Sequence, residues 1–280
     1  MLVDTHAHLN FNAYKDDFNK VIERTLTNNI WIINIGSQYE TSEMAVEIAQ
    51  KVEIGVFAAV GLHPIHLETG LVKIKNDKEE IELKTREEDF NCERYKELAQ
   101  NPKVVAIGEI GLDYYWRPKT TKKKELFKQK QKDLLLKQLE LAKELNLPVI
   151  FHCRMAHQDL IKFLKENPEI KPEKAVAHGF VGNLEELNQY LNFGYYIGFN
   201  GIIFKSIEGI NFEENIRNTP LDRILIETDC PYLTPPPFEG QRNEPLYVRY
   251  IAKKIAEIKN LSYEEITGIT TENAKRLFKI

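Results

Sequence analysis

The sequence predicts a (β/α)8 TIM barrel. Apolar runs of strand length alternate with longer amphipathic stretches along nearly all of the 280 residues, which is the pattern of repeated strand and helix units around a parallel sheet. Eight such runs occur over about 250 residues, the number and the length that such a barrel needs. No GxGxxG or GxxxxGK[ST] stretch is present to favour a doubly wound nucleotide-binding sheet.

In order, the runs are MLVDTH (1–6), IWIINIG (30–36), GVFAAVGLH (55–63), KVVAIGEIG (103–111), PVIFHC (148–153), KAVAHG (174–179), YYIGFNG (195–201) and DRILIETD (222–229). Their near-continuous apolar character suits strands covered on both faces. Helical periodicity lies at 13–28, 40–51, 120–146, 155–166, 183–192 and 244–258, and a closing helix starts near 263. Asn183 with Glu186, and Ser262 with Glu265, have the spacing of a capping box, which satisfies N–H groups left over at a helix start. The connection between the third and fourth runs is far longer than a usual strand-to-helix loop. Within it, LVKIKNDKEEIELKT (71–85) alternates on both sides of Asn76-Asp77 and reads as a polar β-hairpin. Residues 67–100 are therefore expected to be an insertion at the barrel mouth, with 1–280 forming one domain.

With 42% hydrophobic residues the chain can bury a large core, and no stretch approaches the roughly 18 apolar residues of a membrane helix. Asp4 comes too early for a signal peptide, so a cytoplasmic location is expected. Cys92, Cys153 and Cys230 are odd in number and far apart, which supports neither a disulfide framework nor a zinc knuckle. The formal charge of −4 argues against a protein that coats nucleic acid by bulk electrostatics, although a local phosphate site remains open. The densest basic segment, Arg117 to Lys132 with Lys122, Lys123 and Lys124, is expected to be a solvated helix face.

Chemistry concentrates at the C-terminal ends of the runs. His6 and His8 follow the first, His63 ends the third, Glu109 the fourth, His152 the fifth, His178 the sixth and Asp229 the eighth. In a (β/α)8 barrel those ends meet on one face, where active sites are found. So many imidazoles and carboxylates converging there would repel or stay unsatisfied unless cations joined them, and neutral His with ionised Asp or Glu is a donor set that Zn, Mn and similar ions accept. His66 reads as a loop cap, and His157, in a helical pattern, as a residue on or near the surface.

The segments DTHAHL, GLHP, AIGEIGLDYY, FHCR, ETDCPYL and QRNEP, in this order from residue 2 to about 278, resemble the TatD-type metal-dependent deoxyribonucleases, a branch of the amidohydrolase superfamily. The resemblance implies that His6, His8 and Asp229 hold one divalent ion, that His152 and His178 hold a second, and that Glu109 bridges them. It also implies that His63 lies by the scissile phosphate. The strand order agrees, since Glu109 comes between the two histidine groups. Arg154 and Arg242 are the planar donors one would choose for phosphate, and Tyr114 with Tyr115 could stack on a base.

The expected activity is metal-dependent hydrolysis of DNA phosphodiesters in single-stranded or frayed ends. Two divalent ions (Mg, Mn or Zn) would activate water, with Asp229 as proton acceptor. No membrane and no obligate protein partner are expected. A competing reading is a hydrolase of carboxylic esters or amides, of the aminoacyl-tRNA deacylase or lactonase type, because fold and metals do not fix the substrate. A third, a barrel without activity that serves as a binding module, is disfavoured because no expected ligand is missing.

Overall fold

The structure is a computed structural model that describes residues 1–69 and 87–280. Eight parallel strands form one sheet in sequence order: β1 (Leu2–Ala7), β2 (Ile30–Ile35), β3 (Val56–Val60), β4 (Val104–Asp113), β5 (Val149–Arg154), β6 (Ala175–Ala177), β7 (Tyr196–Phe199) and β8 (Ile224–Ile226). A parallel bridge between Ala7 and Cys230 brings the last strand's continuation back to the first. The Asp229 N–H donates to the His6 carbonyl at 2.8 Å, and the Thr5 hydroxyl to Ile226 at 3.1 Å, along the same seam. This is the expected (β/α)8 barrel.

Helices α1 (Phe18–Thr27), α2 (Tyr39–Gln50), α3 (Cys92–Ala99), α4 (Thr121–Leu145), α5 (His157–Glu166), α6 (Leu184–Asn192), α7 (Phe212–Asn218), α8 (Val248–Lys259) and α9 (Tyr263–Phe278) follow the strands. Both capping boxes form, with Asn183 accepting from Glu186 N–H at 2.9 Å and Ser262 from Glu265 N–H at 3.2 Å. Two helices were not legible. The segment CERYKELA of α3 buries only Tyr95 and Ala99, and FEENIRN of α7 is seven residues long, so neither shows enough apolar repeats.

Helix α3 also corrects the extent of the insertion. Residues 92–99 are the barrel's own helix between β3 and β4, so the extra length falls before them. The hairpin expected over 71–85 lies outside the described residues.

Alternation along the strands separates two apolar layers. One inward side chain from every strand (Val3, Ile33, Ala59, Val105, Ile150, Val176, Tyr196 and Leu225) joins Ala274, Leu277 and Phe278 of α9 in a single cluster. The ninth helix thus closes the N-terminal end of the barrel, where Asn273 also donates to the Leu221 and Ile224 carbonyls at 2.8 and 2.9 Å. Outward neighbours such as Leu2, Ile32, Ala58, Phe151 and Ile226 pack under the helices. With one end plugged by apolar groups, polar groups gather at the other. Among the described residues no helix is long and apolar enough to cross a membrane.

Candidate metal centre

The inward register that places Ile150 and Val176 in the barrel core places His152 and His178, two residues on, at its mouth. Four of the six residues expected to hold metal are more than 90% buried, His6 0%, His8 3%, Glu109 5% and His178 8% exposed, while His152 and Asp229 are half-buried at the rim. The centre of the group is Glu109, whose two oxygens look in different directions. Oε1 lies 2.7 Å from His152 Nδ1 and 2.9 Å from His178 Nε2. Oε2 lies 3.6 Å from His6 Nε2 and 4.0 Å from His8 Nε2. Burial alone would raise the Glu109 pKa, but His63, His178 and His152 around it hold it well below the ordinary carboxylate value.

On the first side, His6 Nε2 and His8 Nε2 are 3.2 Å apart, and Asp229 Oδ1 is 3.9 Å from the former and 3.4 Å from the latter. His8 Nδ1 donates to the Ile35 carbonyl at 2.9 Å, which leaves the lone pair of Nε2 facing the site. Asp229 lies beyond β8 at φ 56°, a left-handed turn that the seam holds in place. Behind it, the buried Asp4 accepts the Thr228 N–H at 2.8 Å and the Thr228 hydroxyl at 2.6 Å, locking β8 against β1. Burial opposes ionisation of Asp229, yet its hydrogen bond to His8 and the nearby His178 and His6 keep its pKa lowered.

On the second side each imidazole has a carboxylate behind it. His178 Nδ1 lies 3.1 Å from Glu227 Oε1, so its Nε2 is free to face Glu109, and Gly198 leaves the space for Glu227, since a Cβ there would sit 2.5 Å from Glu227 Oε2. His152 Nε2 lies 3.0 Å from Asp113 Oδ2 while its Nδ1 faces Glu109. Burial lowers both imidazole pKa values but the carboxylates win, raising His178 well above its ordinary value and His152 to about 9. Asp113, Glu227 and Asp4 were missed in the sequence. The usable signal was parity: Asp4 alternates with His6 and His8, and Glu227 shares a face with Asp229.

The donor set fits divalent cations. Two triads of nitrogen and oxygen atoms, His6–His8–Glu109 and Glu109–His152–His178, converge with Glu109 common to both, and the rings of His8, His152 and His178 are oriented by the groups behind them in the way metal ligands require. Neutral imidazoles with their lone pairs facing one another, as at His6 and His8, are relieved by a cation between them.

The remaining expected residues fall in different places. His63 sits just beyond β3, capping a short 3-10 turn: its Nδ1 accepts from Ile65 N–H at 3.1 Å and its Nε2 lies 3.5 Å from Glu109 Oε1. Burial and the neighbouring His152 push its pKa down to about 3. Arg154, at the end of β5, lies flat over the Tyr115 ring at 3.5 Å. Tyr114 is held between α4 and α5, donating to Asp159 at 2.7 Å with the Lys128 ammonium 4.9 Å from its ring centre. Arg242 places its fork on Asp17 at 2.8 and 2.7 Å, an ion pair that ties the loop after β8 to α1. That contact occupies the geometry expected to serve phosphate.

His157 is not near the surface. It is 5% exposed, with Nδ1 3.0 Å from the Tyr190 hydroxyl and Nε2 3.2 Å from the Val181 carbonyl. It begins the buried stripe of α5 that continues through Leu160, Ile161 and Leu164. His66, expected as a loop cap, ends as a buried member of the 3-10 turn.

With this geometry described, comparison with known proteins gives one answer. The family described as TatD related DNase matches residues 3–279. The chain is 41% identical over 282 residues to the uncharacterized metal-dependent hydrolase YabD of Bacillus subtilis, covering 100% of both. It is 30% identical to the 3'-5' ssDNA/RNA exonuclease TatD of Escherichia fergusonii, over 100% of this chain and 99% of that one. The crystal structure of YJJV, a TATD homolog from Escherichia coli k12, superposes with a TM-score of 0.81 at 28% identity, covering 100% of this chain and 98% of that one. The barrel, the convergent imidazoles and carboxylates, and a family match over nearly every residue agree: the chain belongs to the TatD related DNase family and is a metal-dependent hydrolase acting on ester bonds.

Proposed function

We propose that the chain hydrolyses phosphodiester bonds of DNA, in single strands or frayed ends, at a two-metal centre. The observation that carries the reading is the divided carboxylate of Glu109, with one oxygen facing His152 and His178 and the other facing His6 and His8. In this reading His6, His8 and Asp229 would hold one divalent ion (Mg, Mn or Zn), His152 and His178 the other, and Glu109 would be shared between them. When bound, such a pair supplies Lewis acidity to the phosphoryl oxygens and an activated water.

The chain's own groups do the rest. Asp229, ionised at neutral pH, has Oδ1 turned to the imidazoles, so Oδ2 accepts the proton released on attack. His63 is neutral at working pH, and because its Nδ1 accepts from Ile65 its proton is on Nε2, aimed into the mouth as a donor to a non-bridging phosphoryl oxygen. Arg154, over the Tyr115 ring at the end of β5 two residues past His152, supplies a planar cation on the same face of the barrel.

For a nucleic acid over a small carboxylic ester, the support is twofold. The Escherichia fergusonii relative carries the ssDNA/RNA exonuclease description. The connection from β4 and the first turn of α4, on the same face of the barrel, carry Arg117, Lys119, Lys122, Lys123 and Lys124, none of which is paired with a carboxylate among the described residues, and Lys119, Lys122 and Lys123 are exposed. Cations in the first turn of a helix oppose its dipole, so they do not stabilise α4. They suit a polyanion passing the mouth.

The test compares an end-labelled single-stranded oligonucleotide with an aminoacyl ester, each before and after chelation and after return of Mg, Mn or Zn. Cleavage of the oligonucleotide alone, lost on chelation and restored by the metal, is the expected result. Undiminished cleavage in excess chelator, or turnover of the ester alone, would remove the reading.

A further inference from the structure

Helix α4 carries two buried glutamines on the face that packs against the barrel, Gln131 at 0% and Gln138 at 1% exposure, among Leu134, Leu135 and Leu141. Seven residues is two helical turns, so both amides point the same way. Each makes the same pair of contacts. Gln131 Oε1 accepts the Asp113 N–H at 2.9 Å while its Nε2 donates to the Asp113 carbonyl at 2.8 Å. Gln138 Oε1 accepts the Leu62 N–H at 2.7 Å while its Nε2 donates to the Leu62 carbonyl at 3.0 Å.

Those are backbone groups at strand ends, where the sheet ladder runs out and buried N–H and C=O groups need other partners. What lies next to them decides what the contacts do. Leu62 precedes His63 directly. Asp113 is the carboxylate behind His152 Nε2, and it also accepts the Tyr115 and Trp116 N–H groups at 2.8 and 3.2 Å. The two rings so placed, His63 and His152, are 4.2 Å apart. A single straight element therefore grips two different strand ends and fixes the separation of two imidazoles at the mouth.

We propose that Gln131 and Gln138 are positioning residues for the hydrolysis: Gln131 sets His152 through Asp113, and Gln138 sets His63 through Leu62. This rests on the two-metal reading of the site. The experiment uses the full chain, stripped of metal by chelation and dialysis, then titrated with Mn2+ by calorimetry, alongside kcat and KM on a single-stranded oligonucleotide.

Gln131→Met and Gln138→Met keep the volume and remove the amide, and Leu135→Ala on the same helix is the stability control, being fully buried but distant in role from any strand end. Gln131→Met is expected to weaken one Mn2+ binding event about tenfold or more while the other stays within about twofold. Gln138→Met is expected to leave both events unchanged and to lower kcat about tenfold with KM unchanged. Leu135→Ala should lower the melting temperature and move neither quantity.

If Leu135→Ala shifts binding and kcat as much, or if both Met variants merely melt earlier with native binding and native kcat, the amides only fill backbone valences and the proposal is overturned. Should Gln131→Met fail to fold, Gln131→Leu removes both amide contacts without adding a charge and is read by the same two measurements. A wild-type protein that takes up a single Mn2+ would instead remove the two-metal reading, while the kcat comparison for Gln138→Met would still decide whether α4 sets His63.

Discussion

The two sides of Glu109 are built from different materials. On the first side the imidazoles come from one strand and are backed by almost nothing ionic: His8 leans on the Ile35 carbonyl, and His6 Nδ1 has no hydrogen-bond partner among the described residues. On the second side they come from two strands, and each is backed by a buried carboxylate, Asp113 behind His152 and Glu227 behind His178. Burial therefore lowers the His6 pKa, helped by His178, whereas His152 and His178 are raised in spite of burial. The first side is ready for a cation at neutral pH. The second must give up protons to receive one.

The largest effect expected is that of Glu109→Gln, the one change that reaches both sides. It keeps the shape and removes the shared charge, so activity should fall by about 10³ or more, and calorimetry should show both ions weakened. Two ions bound with native affinity would show that Glu109 does not join the sides. Next come His6→Ala and His152→Ala, each expected to remove one ion and retain the other, with activity down by about 10² or more; equal loss of both ions from either would mean that the sides are one site.

A third expectation is a difference in pH dependence. Because the His152 pKa is raised to about 9 and that of His178 well above its ordinary value, binding on the second side should strengthen about tenfold or more per pH unit between 7 and 9, with at least one proton released per ion. The first side should be nearly flat over the same range. The sign for stability is opposite: a raised His152 pKa supports the metal-free fold below the ordinary value of 6.5, and that support disappears as pH rises through about 9. Added metal should therefore raise the melting temperature most at alkaline pH, and a uniform rise would erase the contrast.

The smallest effect calibrates the others. His157 is a buried imidazole with no carboxylate, and burial lowers its pKa from 6.5 to about 4. Its neutral form favours the fold fully above pH 6.5, and the contribution is lost as pH falls towards 4, by at most about 3 kcal/mol. In urea titrations across that window, His157→Gln should be less stable at neutral pH but fall less steeply; an unchanged slope would mean that His157 does not titrate there.

Much of this was legible in the sequence because barrel strands repeat every two residues and the chemistry sits at their ends. His6, His8, Glu109, His152, His178 and Asp229 were found by position on eight apolar runs, and the structure brings all of them to one mouth. The residues that back them were hidden for physical reasons. Asp113 ends the ten-residue β4 after Gly111 and Leu112, and Glu227 follows the three-residue β8, positions at strand ends where a carboxylate is usually a surface group. Gln131 and Gln138 look like ordinary polar positions of a lysine-rich helix, and only the strand ends they grip explain their burial. His157 was misread because a single histidine at a helix start carries no apolar label, although Leu160, Ile161 and Leu164 trace the buried stripe that includes it.

The seam between β1 and β8 also sets a timetable for synthesis. Asp4 and Thr228 are separated by 224 residues, and Asp229 N–H reaches back to His6. A ribosome adds roughly 5–20 residues per second, so the first half of the centre waits about ten seconds or longer for its carboxylate, and longer still for α9 to seal the barrel floor. During that interval β1, which ends beside His6 and His8, has β2 on one side and an unpaired edge on the other. The carboxylate of the first side is thus absent from the growing polypeptide until residue 229 is added, and a product truncated before that residue is expected to lack the complete centre.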